Sequence, residues 1–282
     1  MGIATSNLWE QTAETGPFKP TPKHAQDARL LLMYHLPREL ADRVLDDAEY
    51  WPSFTTSTEC KLEIASPQGS DSEWSYLVTP PLLDPSSQKM DVISPQDGGA
   101  GAPKVKGIRF AVVSHDQGSS WDRENHKTYK GSWTWFEVSI LRCRIDPSPK
   151  IVQDMTEAPF NFLQFSAGAL VRAVRIPDIV DTPRWLVQHN LHADRTPRQH
   201  EVVWKEGDPR TEWTSPDSDP VGDTVPPLEV RNWMDSDRGA GLGKGFLPQL
   251  RLGDRVVLWA KARYPAWTNC VYTAEMEIFY SA

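Results

Sequence analysis

The chain has 282 residues, 39% of them apolar, with 24 prolines, 17 glycines and 12 tryptophans. Its net charge is −8, its pI is about 5.4, and its longest basic cluster is Lys104, Lys106 and Arg109. That argues against nucleic acid as a partner, because phosphate recognition needs concentrated Lys and Arg. No stretch reaches the ~18 apolar residues of a membrane span.

Residues 1–27 are polar and proline-bearing and are expected to form a flexible arm. They lack the charged and apolar regions of a signal peptide. "MGIATS" also fits a myristoylation pattern that six residues often match by chance. Residues 28–52 carry one helical pattern, with Leu36, Leu40, Val44 and Leu45 at helical spacing and Pro37 where a first turn tolerates proline. Leu40 and Val44 are expected to be buried, and "WPSF" ends the helix.

From residue 53 the period changes to two. Strands are predicted over 60–66, 73–79, 107–115, 132–142, 184–192, 200–205, 254–264 and 271–280, each β-branched or aromatic and bounded by Pro, Gly, Asp or Ser. Residues 80–106 and 207–224 read as long irregular loops. This predicts a mostly β, antiparallel, jelly-roll-like β-sandwich over 53–282 with one N-terminal helix. "GIRFAVVSHDQGSSW" with "SWTWFEVSILR" shares a plan with "DRVVLWAKARYPAW" and "TAEMEIFYS". That allows an internally duplicated pair with halves at 53–150 and 151–282; antiparallel hairpins also look alike without duplication.

Cys60, Cys143 and Cys270 are widely spaced and odd in number, so free thiols and a cytoplasmic setting are expected. "GAGLGKG" (239–245) lacks the spacing of a phosphate loop, with Gly245 where Ser or Thr would stand, and reads as a flexible turn. His189 and His192, on opposite faces of a strand, cannot share a metal ion. Neither metal nor cofactor is expected.

The candidate site starts from "SWTWFEVSILR". Alternation sends Thr134, Phe136, Val138 and Ile140 to the core and Trp133, Trp135, Glu137 and Ser139 outward. The outward tryptophans either offer a flat platform for a sugar or aromatic ring, or are covered by another layer. The preceding loop adds His115, Asp116, Gln117, Trp121, Asp122, Arg123 and Asn125, groups that bind hydroxyls and fork across acceptors; a solvated turn has the same composition. Arg263, Tyr264, Trp267 and Asn269 supply a similar set.

"HLPRELADRVLDDAEYW" resembles the first helix of an F-box, although here the pattern stops at Trp51–Pro52. "FAVVSHDQGSSWDRENHKTYKGSWTWFEVSILR" resembles the β-sandwich of plant phloem lectins of the Nictaba type and is similar to the sugar-binding F-box-associated domain of animals. The Ser114–Asp122 turn and the Trp133–Ile140 strand carry that resemblance. "EYWP" and "ARYPAW" are similar to segments of fungal proteins.

The resemblance implies carbohydrate recognition. The leading expectation is a lectin-like intracellular protein, not an enzyme, that binds a carbohydrate or other small ligand. One alternative is an enzyme with a pocket between the sheets, acting on a small apolar or glycosidic substrate. Another is an adaptor using residues 36–50 to hold a protein partner.

Overall fold

The computed structural model describes residues 18–66, 72–82, 104–143, 179–181, 184–208, 234–235, 237–251 and 253–281. The first residues of the expected arm, most of both long loops and the side chain of Cys143 lie outside them. The described chain divides into two compact units, one ending at Ser53 and one running over Phe54–Ser281.

The first unit has two helices, where one was expected. α1 (Pro22–Met33) begins inside the expected arm, because Thr21 caps it: its hydroxyl accepts from the His24 N–H while His24 accepts from the Thr21 N–H, and Pro22 occupies the first turn. α2 spans Arg38–Asp47. Ala25, Ala41 and Leu45 are buried, whereas Leu40 is 48% exposed and Val44 43%. The expectation that Leu40 and Val44 are buried is therefore corrected. α2 turns its small Ala41 and its Leu45 inward, and apolar spacing alone does not say which side of the stripe faces in.

The second unit is an antiparallel β-sandwich. Its strands are β1 (Ser53–Ala65), β2 (Ser72–Val78), β3 (Val105–His115), β4 (Thr134–Cys143), β5 (Ile179–Asp181), β6 (Trp185–His189), β7 (Arg198–Lys205), β8 (Met234–Asp235), β9 (Ala240–Gly241), β10 (Arg255–Ala262) and β11 (Thr268–Tyr280). One sheet runs β1-β11-β3-β7 and the other β2-β10-β4-β6-β9-β8, with β5 also paired to β4. The first strand lies beside the last and the second beside the last but one, which is the strand order of a jelly roll. All eight expected strands are present. β3 and β4 lie in different sheets, as do β10 and β11, so the two similar segments are crossovers and not hairpins.

The inter-sheet layer is filled. Phe110, Val112, Trp204, Met276 and Ile278 come from one sheet, and Phe136, Val138, Ile140, Val256 and Leu258 from the other. Alternation on β4 holds, with Thr134, Phe136, Val138 and Ile140 all fully buried. "GAGLGKG" is a packing loop. Gly243, at φ +63°, sits on the Trp204 ring, and a Cβ on Gly241 would strike the Leu186 carbonyl. Trp204 Nε1 donates to the Gly241 carbonyl at 2.9 Å and Trp185 Nε1 to that of Lys244 at 2.9 Å. Glycine is needed there because backbone lies against indole.

Candidate functional site

Six strand ends meet at one end of the sandwich. β3 leads to β4 through residues 116–133, β6 to β7 through 190–197, and β10 to β11 through 263–267. Register places these ends side by side, with Ala262 opposite Thr134, Trp135 opposite His189, and His115 opposite Cys270.

Buried polar groups hold the three loops together. Asp116 is fully buried, and its carboxylate accepts from the Gly118 N–H and, across loops, from the Ala193 N–H, both at 2.6 Å. Burial pushes its carboxyl above the ordinary value, and these hydrogen bonds pull it back. Gln117 accepts from the Thr268 N–H at 3.2 Å through its side chain and from Arg195 Nε at 2.8 Å through its carbonyl. Two residues therefore tie all three loops. Beneath them Asn190, also fully buried, accepts from the Ser114 hydroxyl at 2.7 Å and donates to Thr134 Oγ1 at 3.0 Å and to Asn269 Oδ1 at 2.9 Å. Asn269 donates to the carbonyls of Trp135 and Lys261. This amide pair bridges the two sheets. Asp116 and Asn269 are thus placed in the loop scaffold, and neither presents an atom to solvent.

Two histidines lie under the first loop. His192 meets the Lys130 carbonyl through Nδ1 at 3.0 Å and the edge of Trp267 at 5.1 Å. His200 meets the Tyr129 hydroxyl at 3.1 Å, and burial pushes its imidazole down to about 4.

Above the scaffold the surface is aromatic and polar. Trp121 is fully exposed (101%), and Tyr264, 49% exposed, meets the edge of Trp133 at 4.7 Å. Asp122 accepts from Asn125 at 2.7 Å, which lowers its pKa, and Arg123 stands exposed beside them. The backbone here is unusual. Of the five described non-glycine residues at positive φ, four lie in these loops: Lys127, Ala193, Tyr264 and Ala266. Each such residue costs on the order of 1 kcal/mol or more and persists only where its surroundings enforce it.

The outward face of β4 has a different fate from the loops. Trp135 is only 7% exposed. Lys261 and Arg263 lie over its ring at 5.4 and 5.5 Å, His189 stacks on it at 6.0 Å, and its Nε1 donates to Glu137 at 2.7 Å. Glu137 also holds Lys261 at 3.0 Å. Further along, Arg184 covers Trp259 at 3.9 Å and pairs with Glu73 at 3.5 Å. Trp135 points outward as its alternation requires, beneath cations from a neighbouring strand. Burial pushes His189 down to about 4, against the pull of Glu137 and a backbone hydrogen bond to Ser132.

The structure therefore brings Trp133, Trp135, Glu137, Arg263 and Tyr264 together on one face, with Trp121, Arg123 and Trp267 in the adjoining loops. His115 lies elsewhere, on the outer side of the other sheet, against the Tyr272 hydroxyl at 3.1 Å. Lys261, Trp259 and Arg184 were missed, although Trp259 and Lys261 on β10 and Arg263 just beyond it alternate as legibly as Trp133 and Trp135 at the start of β4. Among the described residues, no three His, Cys, Asp or Glu side chains converge to hold a metal ion. No family model, curated protein or solved structure matches the chain.

Proposed function

We propose that the chain is a carbohydrate-binding module whose ligand sits on the three-loop end of the jelly roll. The observation that carries this reading is the concentration of positive-φ residues in the loops that display Trp121 and Tyr264. Strain of that kind is held in place at ligand-binding sites, where fixed geometry matters more than local stability. The exposed rings supply flat apolar faces for a sugar ring, and Asp122 and Asn125 supply hydroxyl partners. The filled layer between the sheets favours binding at this end over a pocket inside the sandwich.

A paired experiment tests the reading. Trp121→Ala should weaken binding of a saccharide found on a glycan array by about 1–3 kcal/mol. It should move unfolding stability by less than about 0.5 kcal/mol. Trp135→Ala should instead destabilise the protein by about 3 kcal/mol, the cost of emptying a filled aromatic site. Full saccharide affinity in Trp121→Ala would remove the loops from the site.

The helical unit supports a second reading, a protein-docking role. Leu30, Leu31, Met33, Tyr34, Leu40 and Val44 are all exposed there, and clustered exposed apolar residues mark interaction surfaces. Leu40→Asp combined with Val44→Asp should leave the melting temperature unchanged and abolish capture by a purified ubiquitin-ligase adaptor. Absence of capture by the unmodified protein would end this reading.

A further inference from the structure

We infer that the saccharide is acidic, bearing carboxylate or sulfate groups; this rests on the carbohydrate-binding reading. The observation is the pairing of cations across the molecule. Elsewhere in the sandwich carboxylates neutralise Lys104 and Lys106 through Glu206, Arg109 through Glu201 and Glu275, Arg142 through Asp254, Arg184 through Glu73, and Lys261 through Glu137, while Lys244 and Arg251 stand singly, without an ion-pair partner among the described residues. At the loop end the pattern changes. Arg123, Lys127, Lys130 and Arg195 are exposed, and none has an ion-pair partner among the described residues. Arg195 uses only Nε, on the Gln117 carbonyl, which leaves the rest of its guanidinium unassigned.

The acids of the same loops are withdrawn or few. Asp116 and Asp194 are buried, and Asp194 is engaged with Arg198 at 3.0 Å. Only Asp122 and Glu124 remain at the surface. A protein of net charge −8 thus presents unpaired positive charge on the loops that also carry the fully exposed Trp121. Such a field draws anions and raises their rate of encounter.

The placement favours a discrete acidic saccharide over an anionic membrane. Asp122 and Glu124 stand within three residues of Trp121 in sequence, so an indole entering a bilayer would carry two carboxylates to the anionic headgroups. A saccharide can set its anions on Lys127, Lys130 and Arg195, give its hydroxyls to Asp122 and Asn125, and lay a ring face on the indole. Charge-assisted bonds to lysine and arginine then supply the preference for an acidic sugar.

The test uses the full chain with four probes: trigalacturonic acid, a heparin-derived hexasaccharide, neutral maltohexaose, and phosphatidylcholine vesicles with and without phosphatidylserine. At least one acidic probe should bind about tenfold or more tightly than maltohexaose, a difference of ~1.4 kcal/mol, and should weaken as salt rises past ~0.15 M. The triple variant Lys127→Glu, Lys130→Glu, Arg195→Glu should lose that advantage. Arg251→Glu, at the opposite end of β10, should keep it.

Preference for maltohexaose, or an acidic-probe affinity unmoved by the triple variant, would overturn the inference and leave carbohydrate binding standing. Loss in Arg251→Glu equal to that of the triple variant would also overturn it, by showing only general charge attraction. Binding to phosphatidylserine vesicles with no saccharide bound would overturn both the inference and the reading beneath it.

Discussion

Asn190→Ala should destabilise the sandwich by about 3–5 kcal/mol, since a buried group left without its partner costs about 1–3 kcal/mol and this substitution strands several. Asn190 is fully buried, with the Ser114 hydroxyl on its oxygen and Thr134 Oγ1 and Asn269 Oδ1 on its amide nitrogen. Ser114 and Asn269 belong to one sheet and Thr134 to the other. The substitution therefore removes a polar tie between sheets at the end where the loops are anchored. Urea unfolding reads the loss, and saccharide affinity should fall with it as the three loops lose their common base. Asn190→Asp separates shape from hydrogen bonding, because it keeps the volume but cannot donate to Asn269. A loss below ~1 kcal/mol in Asn190→Ala would show that water or neighbouring groups replace the amide.

Acid should weaken the fold well above the carboxylate range. Burial holds His189 and His200 down to about 4 in the folded protein. In the unfolded chain both take up protons near pH 6.5, the ordinary value for histidine. Below about pH 6.5 the unfolded state therefore binds more protons than the folded state, and stability falls as pH falls. The deficit grows to about 3 kcal/mol per imidazole by pH 4, where the folded groups begin to titrate. Denaturant unfolding at pH 7, 6, 5 and 4.5 should show a steady decline. His200→Phe should flatten its slope, because it keeps a ring against Tyr129 and removes one titrating group. Equal stability at pH 7 and pH 5 would refute the buried-histidine account.

Much of this architecture was legible in the sequence, for a local reason. A strand with one face in the core must alternate, and Thr134 to Ile140 does so without interruption. Eight such runs sufficed for the fold class. What alternation does not carry is the identity of the neighbouring strand. Trp135 was correctly turned outward, yet its burial is due to Lys261 and Arg263, more than a hundred residues away in sequence. Asp116 and Asn269 show the same limit in the loops. A carboxylate or amide in a polar turn has the chemistry of a ligand contact and of a structural tie alike, and only the partner across the gap decides between them. The start of α1 escaped because a proline-bearing segment reads as irregular, whereas Thr21–Pro22 is a helix start.

The neighbour relation between β1 and β11 has a consequence for how the chain acquires its shape. Among the described residues, 53–65 pair with 268–280 alone, and β2 pairs with β10 alone. During synthesis the early strands therefore wait, with open edges and apolar faces, until nearly the whole sandwich has been made. Long-range pairings of this kind slow folding, because loop closure precedes any gain from contact. A nascent β1, with its alternating exposed and buried residues, is in that interval a template for strands of other chains. Loss of the final strand would leave β1 without its neighbour and open one edge of β3, which would keep only β7, and so return the molecule to that vulnerable state.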